Sequence, residues 1–228
     1  MKAFFAFAVT GFSVVSSLFY GCHRKNDYIP DPVYLPSELK AYSMFQDGTY
    51  WVYRSKQSGQ MDSMYVQGFQ SAVNDTYEGQ RLIGRAENFS FRVTSSLTGQ
   101  QYEHQSGLRC IDKAYNPMGF CHTVGRYPIG PNGSPGEGNA FLFHRPIVGA
   151  ELLNGFGRIR LTAVHDTMSI AGTVYRQVIE VQVDRDLSEQ LRPTRYFSVK
   201  NIGLVRRDVP SDSGQWIVWE LVRQRVIQ

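Results

Sequence analysis

Val174-Tyr175-Arg176-Gln177-Val178-Ile179-Glu180-Val181-Gln182-Val183-Asp184 places Tyr175, Ile179, Val181 and Val183 on one side of an extended chain. Arg176, Glu180 and Gln182 fall on the other. A repeat of two residues is the mark of a strand with one buried and one wetted face. Reading outward, the same alternation recurs in Arg158–His165 and Phe89–Ser95, while Trp216–Val226 sets Trp216, Val218 and Val222 on one face and Ile217, Trp219 and Leu221 on the other. Thr49–Ser55 is aromatic or apolar on both faces, as a strand between two layers requires. Met64–Phe69, Arg81–Arg85, Ala140–His144, Arg195–Lys200 and Gly203–Val209 are shorter candidates. Gln57-Ser58-Gly59, Thr98-Gly99, Ala171-Gly172 and Ser211-Asp212-Ser213-Gly214 supply turns between them.

Helical signals are few. Ser37–Phe45 has Leu39, Tyr42 and Phe45 at helical spacing with Ser37 as a cap, and Asp186–Leu191 has room for one turn before Pro193. Many strands with almost no crossover helices pair antiparallel. The expectation is an all-β fold: one antiparallel curved sheet, or a barrel- or sandwich-like domain, with minimal helix.

Composition narrows the class. The chain has 228 residues, 24 Lys and Arg against 20 Asp and Glu, and 13% aromatics. That length suits a single β domain, and the aromatic content excludes a disordered chain. A net charge of +4, spread along the sequence, gives no footprint for nucleic acid.

The N-terminus carries an address. Lys2 precedes the apolar run Ala3–Val15, and Gly21-Cys22 closes the segment. A basic start, a short apolar core and a small residue before a cleavage point describe a secretory signal. Gly21-Cys22 resembles a bacterial lipobox, in which cleavage precedes a Cys that carries diacylglycerol. The resemblance makes Cys22 the acylated first residue of the mature chain, with Phe19 and Tyr20 where the pattern prefers Leu and a small residue. The organisation expected is a signal peptide over 1–21, a lipidated N-terminus and extended tether over 22–36, and a single β domain over 37–228. Pro30, Pro32 and Pro36 bias the tether to extended geometry.

Three cysteines leave Cys110 and Cys121 once Cys22 is acylated, and in an oxidising compartment they are expected to form a disulfide. A metal site of Cys110, Cys121 and His122 is the alternative, but its spacing matches no zinc pattern. No cofactor and no metal are expected.

Tyr42-Ser43-Met44-Phe45-Gln46-Asp47-Gly48-Thr49-Tyr50-Trp51-Val52-Tyr53 resembles an opening segment of small Bacteroidota envelope lipoproteins, where a turn at the Gly feeds the first aromatic strand. Ile202-Gly203-Leu204-Val205 resembles their C-terminal "G-L-V" strand. The resemblance implies place and architecture, not chemistry. Basic His23-Arg24-Lys25 in place of an acidic export signal points to the periplasmic face of the outer membrane.

The search for chemistry is mostly negative. Nucleotide loops, HExxH and EF-hand loops are missing from the sequence. Asn132-Gly133-Ser134-Pro135-Gly136 fails as a nucleophile elbow, because Pro135 lacks the N–H that the oxyanion hole needs. His104, His122, His144 and His165 are scattered and read as ordinary strand histidines. Tyr50, Trp51, Tyr53, Trp216 and Trp219 read as core and face-covering residues before they read as a ligand cavity. Residues Asn116–Asn139, rich in Gly and Pro, read as one long loop. Phe120, His122, Arg126 and Tyr127 are its candidate binding residues. The function expected is a membrane-anchored, non-catalytic envelope lipoprotein, held to the bilayer through Cys22, that binds an envelope protein or an apolar or glycan ligand. A structural accessory of an outer-membrane complex is one alternative. A glycan-acting hydrolase using carboxylates such as Asp166 and Glu180 is the other.

Overall fold

Period-two segments in this chain pair with their neighbours in sequence. The computed structural model describes residues 31–78, 81–108, 122–130, 139–143, 148–149, 151–154, 157–186 and 192–228. One helix, α1 (Ser37–Ser43), precedes twelve strands. The first six are β1 (Tyr50–Ser55), β2 (Met61–Glu78), β3 (Arg81–Ser95), β4 (Gln101–Leu108), β5 (His122–Pro128) and β6 (Asn139–Phe143). The second six are β7 (Glu151–Asn154), β8 (Gly157–Ile170), β9 (Thr173–Asp186), β10 (Arg192–Val199), β11 (Gly203–Pro210) and β12 (Trp216–Arg225).

They form one antiparallel sheet in the order β6-β5-β4-β3-β2-β1-β12-β11-β10-β9-β8-β7. All ladders but one join strands that are consecutive in the chain; the exception pairs β1 with β12. The two ends of the domain thus lie at the centre of the sheet, and its mid-chain strands β6 and β7 lie at the edges. Among the described residues no ladder joins β6 to β7, so the sheet is open.

The sheet curls. Register shifts at Val52/Tyr53, Gln67/Gln70 and Phe197/Ser198 bend their strands, and Gly68 sits at the second of them with φ of 66°. Arg126 on β5 reaches Tyr196 on β10, although many strands separate the two in sheet order. The inner face buries Phe89, Phe91 and Val93 from β3 against Val181 and Val183 from β9, with Tyr196 and Val205 between. Helix α1 adds Leu39 and Tyr42 to the same core, and Phe45 follows, edge-on to Trp51 at 4.9 Å.

Residues before α1 are pinned. Val33 bridges Ala86 in parallel, with Val33 N–H donating to the Arg85 carbonyl and Glu87 N–H to the Val33 carbonyl, both at 2.9 Å. The Glu87 carboxylate accepts from Leu35 N–H at 3.0 Å and from Lys40 Nζ at 2.7 Å. Part of the stretch read as tether therefore lies along β3.

The all-β, antiparallel expectation holds, and α1 falls where helical spacing placed it. Pro36 rather than Ser37 is the N-cap residue, and no side chain caps the helix. Met64–Phe69 is one piece of a longer β2, and Arg81–Arg85 and Phe89–Ser95 are one strand, β3. Strands β4, β5 and β7 have no counterpart in the alternation pattern. The segment Asn116–Asn139 is not one loop: it contains β5 and the first residue of β6. Gly125 and Pro128 read as loop residues because neither announces a buried face, yet Val124 just before Gly125 is fully buried and Arg126 between them is buried too.

Candidate functional site

Each face of β2–β5 is built from cross-strand rows. On the inner face Phe91 pairs with His104 and His104 with Arg126, while Val66, Val93 and Tyr102 form the next row. Phe91 and His104 stack at 5.0 Å, and the Arg126 guanidinium lies 3.7 Å from the centre of the Tyr102 ring. Arg126 Nη1 donates to the Tyr196 hydroxyl at 3.3 Å, and that hydroxyl donates to Asp186 Oδ2 at 2.5 Å. A buried cation thus meets a buried carboxylate through a tyrosine, which offsets the cost of taking both from water. Burial, and then the Arg126 charge, push the His104 imidazole down to about 3, so it is neutral.

These side chains border a cavity shared with Tyr42, Trp51 and Phe91, with a volume of about 40 Å³. That admits a water or two, at roughly 30 Å³ each in the liquid. Small-molecule sites run to several hundred Å³. The interior cluster is accordingly core, held together by polar groups. Trp51 and Tyr53 are core as well. Tyr50 leans on Tyr65 with ring centres 6.0 Å apart, and Trp216 lies under the Arg195 guanidinium at 4.4 Å.

The outer face is different. Gln67, Arg92, Glu103 and Tyr127 form one continuous row across β2, β3, β4 and β5. Gln70, Ser90, Gln105 and Gly125 form the next. Four strands at ~4.8 Å spacing make each row about 14 Å long, and two residues of strand rise separate the rows by ~6.7 Å. Two adjoining concavities of about 370 and 430 Å³ run over this array and share Gln70, Ser90 and Glu103 in their walls. Gln105 Nε2 donates to Glu103 Oε1 at 3.3 Å.

Tyr127 closes one end of the array. A Cβ on Gly125 would stand 2.6–2.8 Å from the Tyr127 hydroxyl and ring carbons. The ring therefore folds back along its own strand and lies over the glycine, which only a missing side chain permits.

Of the candidates read from sequence, Tyr127 lies on the outer face and Arg126 on the inner, as adjacent strand residues must. His122 opens β5, opposite Leu108. Phe120, Cys22, Cys110 and Cys121 lie outside the described residues. The Glu180 carboxylate is 2.8 Å from His165 Nε2, and Asp166 accepts from Gln177 Nε2 at 3.1 Å. Among the described residues no group of His, Cys, Asp and Glu is placed to hold a metal ion. Sequence reasoning missed Gln67, Gln70, Ser90, Arg92, Glu103 and Gln105. Ser90 and Arg92 are the polar side of the Phe89–Ser95 alternation, whereas in β4 only the outward residues Glu103 and Gln105 are uniform in character.

Comparison of the chain with family models, with curated proteins and with solved structures finds no match.

Proposed function

We propose that this chain is a lipid-anchored envelope protein, attached through acylated Cys22 and facing the periplasm from the outer membrane, that binds a ligand or partner without catalysis. The observation that carries the reading is the outer array on β2–β5: a concave, hydrogen-bonding surface on a rigid sheet. Its side chains are mostly amides and hydroxyls, which recognise, and among the described residues no base is hydrogen-bonded to the Ser90 hydroxyl to activate it as a nucleophile. The anchor and the array are compatible in reach. Val33, pinned to β3, stands eleven residues after Cys22, and eleven extended residues span at most about 40 Å.

The test replaces Gln70 and Ser90 together by Arg, two outward positions on paired strands. Wild type and variant, both full-length and in detergent, are cross-linked in envelope extracts after matched melting curves. Loss of a discrete cross-linked species in the variant supports the array. Identical species in both would reject it. A membrane fraction in which Cys22→Ser remains as firmly held as wild type would reject the anchor.

A further inference from the structure

We infer that the outer array of β2–β5 takes a neutral, flat oligosaccharide whose sugar ring stacks on Tyr127, an inference that rests on the binding reading above. Three features select this chemistry. First, the walls are amide, hydroxyl, carboxylate and guanidinium groups: Gln67, Gln70 and Gln105, Ser90, Glu103 and Arg92. Such a set offers donors and acceptors in turn, which is what adjacent sugar hydroxyls demand, each being both donor and acceptor. Arg92 and Glu103 face each other in one row, so the array has no excess of charge to select an ion.

Second, hydrogen-bonding capacity remains unused. Among the described residues the side chains of Gln67, Gln70, Ser90 and Arg92 engage no protein partner, and all four point outward. Their paired strands hold the backbones at fixed spacing, so the ordering cost of binding is confined to the side chains.

Third, the platform has been cleared. Tyr127 lies over Gly125 at a distance that any Cβ would forbid, and it ends the row that begins at Gln67. A ring laid flat on a sheet presents its π face outward, and the carbon–hydrogen face of a pyranose packs on such a surface as another apolar ring does. The array is about 14 Å long, and the four strands pair without a break along each row. It suits a chain with equatorial linkages, which extends flat, and not an α-linked chain, which bends away.

The test uses full-length protein in detergent, titrated calorimetrically with cellotetraose and with chitotetraose, with maltotetraose as the bent control. Saturation-transfer NMR on the same samples reads contact between aromatic protons and the sugar. The expected result is binding of at least one flat tetrasaccharide, with transfer to its ring protons, and at least tenfold weaker binding of maltotetraose. Tyr127→Ala should weaken binding ~10-fold, while Tyr127→Phe, which keeps the ring, should stay within about twofold. Gly125→Ala should weaken it similarly by displacing the ring. The contact there is the far end of a flexible side chain, so the fold should survive. No heat and no transfer with any tetrasaccharide overturns the inference. So does binding that Tyr127→Ala leaves intact. If the sugars fail while the Gln70→Arg, Ser90→Arg variant still loses its cross-linked species, the ligand class is wrong and the binding reading stands. If both experiments are blank, both readings fall.

Discussion

Gly203 opens β11 with φ of 86°, and a Cβ there would lie 2.7 Å from Phe45 Cζ and 2.9 Å from Phe45 Cε2. Two separate penalties meet at this atom. A left-handed backbone costs an L-residue roughly 1–2 kcal/mol, and the ring against it is buried and cannot swing aside. Gly203→Ala is expected to destabilise the fold by at least ~2 kcal/mol, read as a lowered midpoint in urea. An unchanged midpoint would mean that Phe45 repacks freely. His104 gives a second residue-scale prediction, in pH. Its imidazole is held neutral in the fold, down to about 3, while in the unfolded chain it protonates near 6.5. Between those values the unfolded state binds the extra proton. Stability from this group is complete above the unfolded value and is lost as pH falls toward the folded one, by up to ~1.4 kcal/mol per pH unit. His104→Gln should flatten the dependence of melting temperature on pH between about 6.5 and 3. Parallel wild-type and variant profiles would show that acid lability has another source.

Strands β1 and β11 do not pair, yet they are bonded. The β11–β12 ladder begins at Arg206, leaving the start of β11 beyond it. There Trp51 Nε1 donates to the Ile202 carbonyl at 2.7 Å and the Tyr53 hydroxyl to the Leu204 carbonyl at 2.8 Å. The stretches around Trp51 and around Gly203 therefore meet in space. Trp51→Phe keeps an aromatic side chain but removes the indole N–H and part of the ring system, stranding a carbonyl, at an expected cost of at least ~1–3 kcal/mol in chemical denaturation. Adding Tyr53→Phe should cost more than a single loss, and a double variant as stable as wild type would rule out these bonds as a brace. Legibility in sequence followed the same lines. Strands β8 and β9 have one apolar and one polar face, and their alternation reveals them. In β4 the inward residues are Tyr102, His104 and Ser106 and the outward ones Glu103 and Gln105, so neither face looks greasy. In β5 the inward Arg126 and the outward Gly125 each carry the wrong sign for their side. The candidate site lies on those two strands and their neighbours, so the features that hid β4 and β5 hid the site as well. Tyr127 was legible as an aromatic in a glycine-rich stretch. Its posture over Gly125 was not, because that depends on the strand.

Across the whole molecule, sheet order differs from chain order in one respect. β1 through β6 form one run of hairpins and β7 through β12 another, and among the described residues only the β1–β12 ladder joins them. Thr49 reinforces that junction: its hydroxyl donates to the Ile227 carbonyl at 3.1 Å and accepts from Ile227 N–H at 2.9 Å. Ending the chain at Ser211 removes β12. It should leave two half-sheets with Trp51 and Tyr53 on an unpaired edge, and the truncated protein should aggregate where the full chain is monodisperse by light scattering. A soluble, cooperatively melting truncation would contradict that. The placement of β12 also sets the timing of assembly. Hairpins close among neighbours as soon as they are made, but β1 waits for a partner whose residues are the last of the sheet to emerge. A chain delivered N-terminus first, by a ribosome or through a translocation pore, carries its most aromatic strand half-paired for the whole passage. Only the arrival of the final strand ends that exposure, so the holding factors of the cell have one predictable edge to guard and one event that releases them.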